Sequence, residues 1–465
     1  MTNPSLPAAA GWPLNETRAM DGAPVEARLD PLRKAVIWMI AAYLVLNVGF
    51  EFVRIPPVGF GIPIGELILG VCLIVIRSRS ILPMMAREVW LLPIVFWWAL
   101  SLCRALIDAR TGGFWSFRDA SQAIESLYLI VGFWFASSDF NFHYFFRWLK
   151  RVLIAGALYG LLYPVSGSLQ AFSPKLHGVG TGATPILFSM STMPLLMMWC
   201  AAWLLIERPA NPRSAWWRNL CAGFLVAFAV AFGQSRSNYL QVLALGIVLL
   251  LVKRKAAAKW GVVVLIGAVI IGAVSLSGIE LRGRVGKQVS LNFIAEHFET
   301  LSGSGEESVE NTAEGVSLRI NWWRHIFEKM KSSPKDMIFG LGYGVPLTSF
   351  QGVTSITREP HNSYISVIGR LGVSGFAMYL FMQIALYYSW WRAFRLARKM
   401  GWTEDQDHLL MLLMFGFLTL VAMIGEAAME VPFYAIPYYF FFGVVLRYRR
   451  HLSLAAREAS VEERA

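Results

Sequence analysis

The chain has 465 residues, of which 56% are hydrophobic and only 15% charged, and its mean hydropathy is +0.51. A soluble chain carries about a quarter charged residues, so a soluble globular enzyme is excluded. The formal net charge of +12 is distributed by topology rather than as a basic patch, which excludes a nucleic-acid partner, and Cys72, Cys103, Cys200 and Cys221 stand singly, without the spacing of a zinc site or a disulfide framework.

Residues 1–33 are polar and rich in Pro, Ala and Asn, and lack the short apolar core and small-residue cleavage site of a signal peptide. They are expected to form a disordered cytoplasmic tail, with the first apolar run as an uncleaved anchor. Apolar runs long enough to cross a hydrocarbon core of about 30 Å recur near 34–53, 58–76, 89–107, 119–136, 148–165, 184–206, 218–234, 237–252, 260–278, 362–390, 408–428 and 431–448. The expected fold class is an all-α polytopic membrane protein with about twelve transmembrane helices. Most of the basic residues outside the longest loop fall on one side, among them Arg33, Lys34, Arg77, Arg79, Arg147, Lys150, Arg151, Arg208, Lys253, Arg254, Lys255, Arg392, Arg395, Arg398, Arg447, Arg449 and Arg450. By the positive-inside rule both termini, including a tail at 451–465, are expected in the cytoplasm. The integral-membrane domain then spans 34–450 and carries one long outward insert, 279–361. No internal repeat is visible, which argues against a transporter built from inverted halves.

The outward face gathers unusual polar residues. Arg104, Arg110 and Arg118 flank the loop between the third and fourth runs. Arg104 is the deepest, and a pairing with Asp108 or Glu125 stands beside a substrate contact. The loop 166–185 contains Lys175, His177 and a glycine-rich stretch from Gly178, and reads either as a substrate flap or as an ordinary connection. Arg236 occupies a polar break, Gly233-Gln234-Ser235-Arg236-Ser237-Asn238, between the seventh and eighth runs. A basic residue in a tight outer turn is disfavoured, so a lipid phosphate or a ligand phosphate should offset it; the guanidinium fork matches either.

Within the insert, Arg319, Trp322, Trp323, Ile326, Phe327 and Met330 fall on one helical face, while Arg324, Glu328 and Lys331 project elsewhere. Arg319 on that apolar face needs an anionic partner or must snorkel to water. The turn Gly340-Leu341-Gly342-Tyr343-Gly344 follows and need mean only tight packing. His361 stands beside Pro360 at the mouth of an apolar helix, among outward arginines. Imidazole titrates near working pH, so it can take a proton from a hydroxyl and release it. Glu426 and Glu430, at the last outer turn, would bind sugar hydroxyls or neutralise the arginines.

The box His361-Asn362-Ser363-Tyr364-Ile365, followed by Gly369-Arg370-Leu371-Gly372 and Gly375, resembles the signature of the O-antigen ligase and Wzy-type polymerase superfamily. Ser235-Arg236 after an apolar helix, and Ser317-Leu318-Arg319-Ile320 in the long loop, are similar to that family's two other basic sites. The resemblance covers residues 35 to 450 through topology, whereas the sequence match is confined to these motifs. Ile365 stands where family members often have leucine, a conservative departure.

The resemblance implies a GT-C-type glycosyltransferase in the bacterial inner membrane with a periplasmic active site. It implies O-antigen ligase activity in lipopolysaccharide biosynthesis: transfer of polysaccharide from undecaprenyl pyrophosphate, the donor, to a sugar hydroxyl of lipid A-core, the acceptor. No cofactor and no metal are implied. On this reading Arg236 and Arg319 hold the pyrophosphate, His361 is the general base, and Arg104, Arg118, Asn362 and Tyr364 are further candidate substrate contacts. A Wzy-type O-antigen polymerase or a protein O-oligosaccharyltransferase would use similar residues, and a polytopic transporter or flippase is the non-enzymatic reading.

Overall fold

The structure is a computed structural model that describes residues 30–56, 61–76, 83, 87–136, 141–177, 183–190, 192–207, 211–277, 281, 283, 288–290, 292, 295, 310–349 and 358–462, without the side chains of 212 and 310–317. The tail up to residue 29, Arg77, Arg79, Arg208, the glycine-rich 178–182 and most of the insert between 278 and 309 lie outside the described residues.

The described chain is almost entirely helical. Helix α1 (Pro31–Leu46) begins at Asp30, whose side chain accepts from Arg33 N, with Pro31 in the first turn. After it come α2 (Val48–Glu51), α3 (Ile64–Ile76) and α4 (Leu92–Gly112), then three short pieces, α5 (Phe114–Asp119), α6 (Ser121–Ser126) and α7 (Tyr128–Phe135). Helices α8 (Phe142–Gly160) and α9 (Ser166–Leu169) lead to α10 (Met193–Ile206), α11 (Pro212–Gly233), α12 (Arg236–Val252) and α13 (Arg254–Leu276). The insert contributes α14 (Glu310–Lys331) and α15 (Pro334–Phe339), and the chain closes with α16 (Ser363–Lys399), α17 (Thr403–Gly425) and α18 (Pro432–Glu462). Two small antiparallel ribbons are the only sheets among the described residues, pairing Arg54–Ile55 with Ile62–Pro63 and Lys175–His177 with Ala183–Pro185.

Helices α10, α17 and α18 form the interior. Nearly every residue of α10 is buried, and α17 and α18 are buried around most of their circumference, the pattern of helices that are apolar on all faces. A close helix contact joins α7 to α18 through two glycines. A Cβ on Gly132 would lie 2.0 Å from Phe440 O, and one on Gly443 would lie 2.2 Å from Leu129 O. Small residues let the two backbones touch, which is how helices associate where no hydrophobic force drives them. By contrast α13 exposes Leu265, Val269 and Leu276, and α3 exposes Ile74 and Val75. Such apolar surface fits contact with lipid.

By length and composition, five helices among the described residues can cross a membrane: Val89–Gly112, Arg213–Gly233, Arg254–Leu276, Ser363–Lys399 and Thr403–Gly425. A sixth arises if Phe142–Gly160 and Tyr163–Phe172, bent by 46°, form one span. Ile64–Ile76, Met193–Ile206 and Arg236–Val252 are shorter apolar helices. The twelve runs of the sequence are therefore not twelve long helices. The run at 34–53 is broken at Asn47, which has φ 48° and caps α2 with its own side chain. The run at 119–136 is divided among α6, α7 and the end of α5. The final run continues as one helix from Pro432 to Glu462.

Two features of the fold position the site. Helix α14 buries Trp322, Ile326 and Met330, as its periodicity predicts, and Ile326 and Met330 pack with Leu347 in a small core. Helix α16 is kinked at Gly372 (φ 67°), where a Cβ would meet Ile338 O at 2.4 Å. The kink removes helical partners from the carbonyls of Gly369 and Arg370, and the glycine turn supplies replacements: Leu341 N donates to Gly369 O (2.8 Å) and Gly342 N to Arg370 O (3.0 Å). Gly340 and Gly342 both have positive φ, which only glycine adopts freely. The tight packing expected of this turn is what the structure shows.

Candidate active site

His361 ends the insert in the left-handed region (φ 50°), one residue before Asn362 caps α16 by accepting from Ile365 N at 3.0 Å. A non-glycine residue held there is uncommon and strained. Three contacts hold it. Trp323 Nε1 donates to Pro360 O (2.9 Å), Trp322 stacks on the imidazole at 6.0 Å between centroids, and Asn362 Nδ2 donates to Ile424 O (2.9 Å). The insert helix and the end of α17 thus fix the ring from two sides.

Glu426 faces His361, with Oε2 3.8 Å from Nδ1. Burial lowers the imidazole's pKa below its usual 6.5; Glu426 opposes the shift and Arg319 reinforces it. The ring is therefore neutral at neutral pH, the form that accepts a proton.

Arg319 points from α14 to the C-terminal end of α17 and donates to Gly425 O at 3.0 Å. A cation at a helix C-terminus is favoured by the exposed carbonyls. Arg236 opens α12, directly after its N-cap Ser235, and lies close enough to Arg319 for the two positive charges to act on each other. The ends of α12 and α17 also meet, since a Cβ on Gly425 would lie 3.9 Å from Ser237 Cβ. Two guanidiniums, one half-buried imidazole and the N-termini of α12 and α16 are thereby brought to one place. Helix N-termini and arginines both favour an anion.

A polar recess adjoins this cluster, lined by Thr192, Ser235, Ser237, Asn238, Gln241, Glu426 and Tyr434 among others. Among the described residues, the one group of three side chains spaced to share a metal ion lies elsewhere, at His143, Glu404 and His408.

The remaining sequence candidates occupy supporting positions. Arg104 Nε pairs with Asp108 Oδ2 at 2.7 Å and Nη1 donates to Phe339 O at 3.4 Å, while the same aspartate accepts from Tyr343 N at 2.7 Å. Arg104 thus holds the glycine turn, and of the two carboxylates considered for it, Asp108 is the partner. Arg118 Nη1 pairs with Glu359 Oε1 at 2.7 Å, two residues before His361, and Arg110 is exposed at the end of α4. Asn362 is buried with both ends of its amide engaged, and the Tyr364 hydroxyl donates to Leu420 O at 3.4 Å.

Sequence reasoning missed the group beneath the site. Asp119, wholly buried, accepts from Arg370 Nη1 (2.7 Å), Arg358 Nη2 (2.9 Å) and Gly344 N (3.0 Å). Arg358 also covers the ring of Trp115 at 4.5 Å. Its one signal was a lone aspartate at the edge of an apolar run. Glu430 sits in the same region, and its carboxyl is pushed up to about 8 by burial, against the pull of Arg370.

Comparison with known proteins adds to this geometry. Residues 221–380 match the family described as O-Antigen ligase, a stretch that contains Arg236, Arg319, His361, Asn362 and Tyr364 but not Arg104, Arg118, Asp119 or Glu426. No curated protein matches the chain. The chain is thus a multi-pass membrane protein whose residues 221–380 match the O-antigen ligase family.

Proposed function

We propose that the protein is an O-antigen ligase of the bacterial inner membrane, with a GT-C-type fold and its active site on the periplasmic side. It transfers polysaccharide from undecaprenyl pyrophosphate to a sugar hydroxyl of lipid A-core. The observation that carries this reading is the convergence of Arg236, Arg319 and neutral His361 at the N-termini of two long helices.

In this mechanism Arg236 and Arg319 bind the pyrophosphate. His361 Nδ1 faces Glu426, which leaves Nε2 to take the proton of the acceptor hydroxyl. The hydroxyl oxygen attacks the anomeric carbon as its bond to the pyrophosphate oxygen breaks, with inversion. The leaving group departs with the electron pair, and the guanidiniums stabilise the charge that grows on it. The arginines supply the positive charge, so the scheme calls for no metal at this site.

The test is transfer by purified protein in detergent, from undecaprenyl-pyrophosphate glycan to lipid A-core. A glycan-bearing lipid A band from wild type, absent with His361→Ala, is the expected result. Elongated lipid-linked glycan without that band would overturn the ligase reading in favour of a polymerase.

A further inference from the structure

We propose that His143, Glu404 and His408 form a binding site for a divalent transition metal, with zinc the best match, at the end of the helix bundle remote from His361. Glu404 and His408 lie four residues apart at the start of α17 and so project from one face. His143 comes from the first turn of α8. Its Nδ1 is 3.0 Å from Glu404 Oε1, His408 Nε2 is 3.9 Å from the same oxygen, and all three donor atoms lie within 4.8 Å of one another. A cation near the middle of that triangle would be about 2–2.5 Å from each donor, close to the 2.0–2.2 Å of zinc bonds to imidazole nitrogen and carboxylate oxygen.

The surroundings support a site rather than a chance pairing. Phe146 stacks on His408 with centroids 3.9 Å apart and planes 5° from parallel, which fixes the direction of Nε2. The side chains of Glu404 and His143 are 67% and 37% exposed, so the carboxylate can rotate inward and water can complete the coordination. An exposed histidine–glutamate pair contributes little by itself, and it does not account for a second imidazole aimed at the same oxygen. Two imidazoles and one carboxylate select zinc and its neighbours over magnesium or calcium, which prefer all-oxygen shells. A bound ion would fasten the start of α8 to the start of α17. Helix α17 has 23 residues, so at 1.5 Å per residue the site is roughly 30 Å from His361, and it does not depend on the transfer reaction.

The experiment uses the full chain in detergent, purified through a histidine-free tag, stripped of metal and titrated with Zn²⁺ against a chromophoric chelator. One zinc per chain is expected, bound at least tenfold more weakly by His143→Ala and by Glu404→Gln and equally well by His361→Ala. The unfolding midpoint should rise with zinc in wild type and not in the two variants. Both replaced side chains reach solvent, His143 in part and Glu404 mostly, so the variants should fold. Wild type binding zinc no more tightly than these variants, or binding lost only with His361→Ala, would overturn the proposal.

Discussion

The buried carboxylate of Asp119 accepts a 2.7 Å charge-assisted hydrogen bond from Arg370, joining the end of α5 to the kinked first turns of α16. Arg358 shares the same carboxylate, so one acid anchors both the helix that begins just beyond His361 and the segment that delivers it.

Removing that acid leaves two guanidiniums without their counter-charge. Breaking a buried pair in this way costs about 3–5 kcal/mol, so Asp119→Ala should lower the unfolding midpoint markedly and abolish transfer with it. An unchanged midpoint in detergent would show that the network does not support the fold.

His361→Ala should behave differently. General-base catalysis typically contributes about 10²–10⁴-fold, and the variant should lose transfer by that order while keeping the wild-type elution profile and helical content. Near-normal transfer would remove His361 from the mechanism.

The pH profile follows from the charges around the imidazole. Since burial lowers its pKa, the neutral base persists below pH 6.5, and the acid limb of kcat/KM should lie below that value. Glu426 raises the pKa and Arg319 lowers it. Glu426→Gln should therefore move the limb to lower pH and Arg319→Gln to higher pH, in whatever activity each variant retains. Shifts in the opposite directions would contradict the assignment.

Arg236→Lys keeps the charge and removes the fork. Because only the guanidinium can bind two phosphate oxygens in parallel, transfer should fall well below wild type, most visibly as a raised KM for the donor. Full activity would argue for a simple point charge at this position.

Glu430 supplies a stability test. Its folded-state pKa of about 8 lies above its usual 4.5, so the folded protein holds a proton that the unfolded chain releases. That stabilisation is fully present below pH 4.5 and is lost as pH rises through 8. Glu430→Gln should flatten the loss of thermal stability between about pH 5 and 8, and identical slopes for the two proteins would mean that Glu430 is not held protonated.

The membrane character and the amphipathic face of α14 were legible in the sequence, and Arg236, Arg319 and His361, singled out by their local motifs, are brought near one another by the fold. Those features are local: apolar run length, a 3.6-residue period and short motifs depend on neighbours in the chain. What only the tertiary structure decided is long-range pairing. Asp119 and Arg370 are separated by 251 positions, and nothing local marks the aspartate as the anchor for an arginine beyond the insert. The same holds for Glu426, which faces His361, and for Arg104, whose partner Asp108 was one of two candidates until the glycine turn placed Tyr343 against it. Whether an apolar run forms one continuous helix also lay beyond the sequence, because hydropathy records that a run is apolar but not that Asn47 and the ends of α5 and α6 break the backbone within it. Burying a charge or bending a helix is offset by partners from distant segments, and only the folded chain brings those partners together.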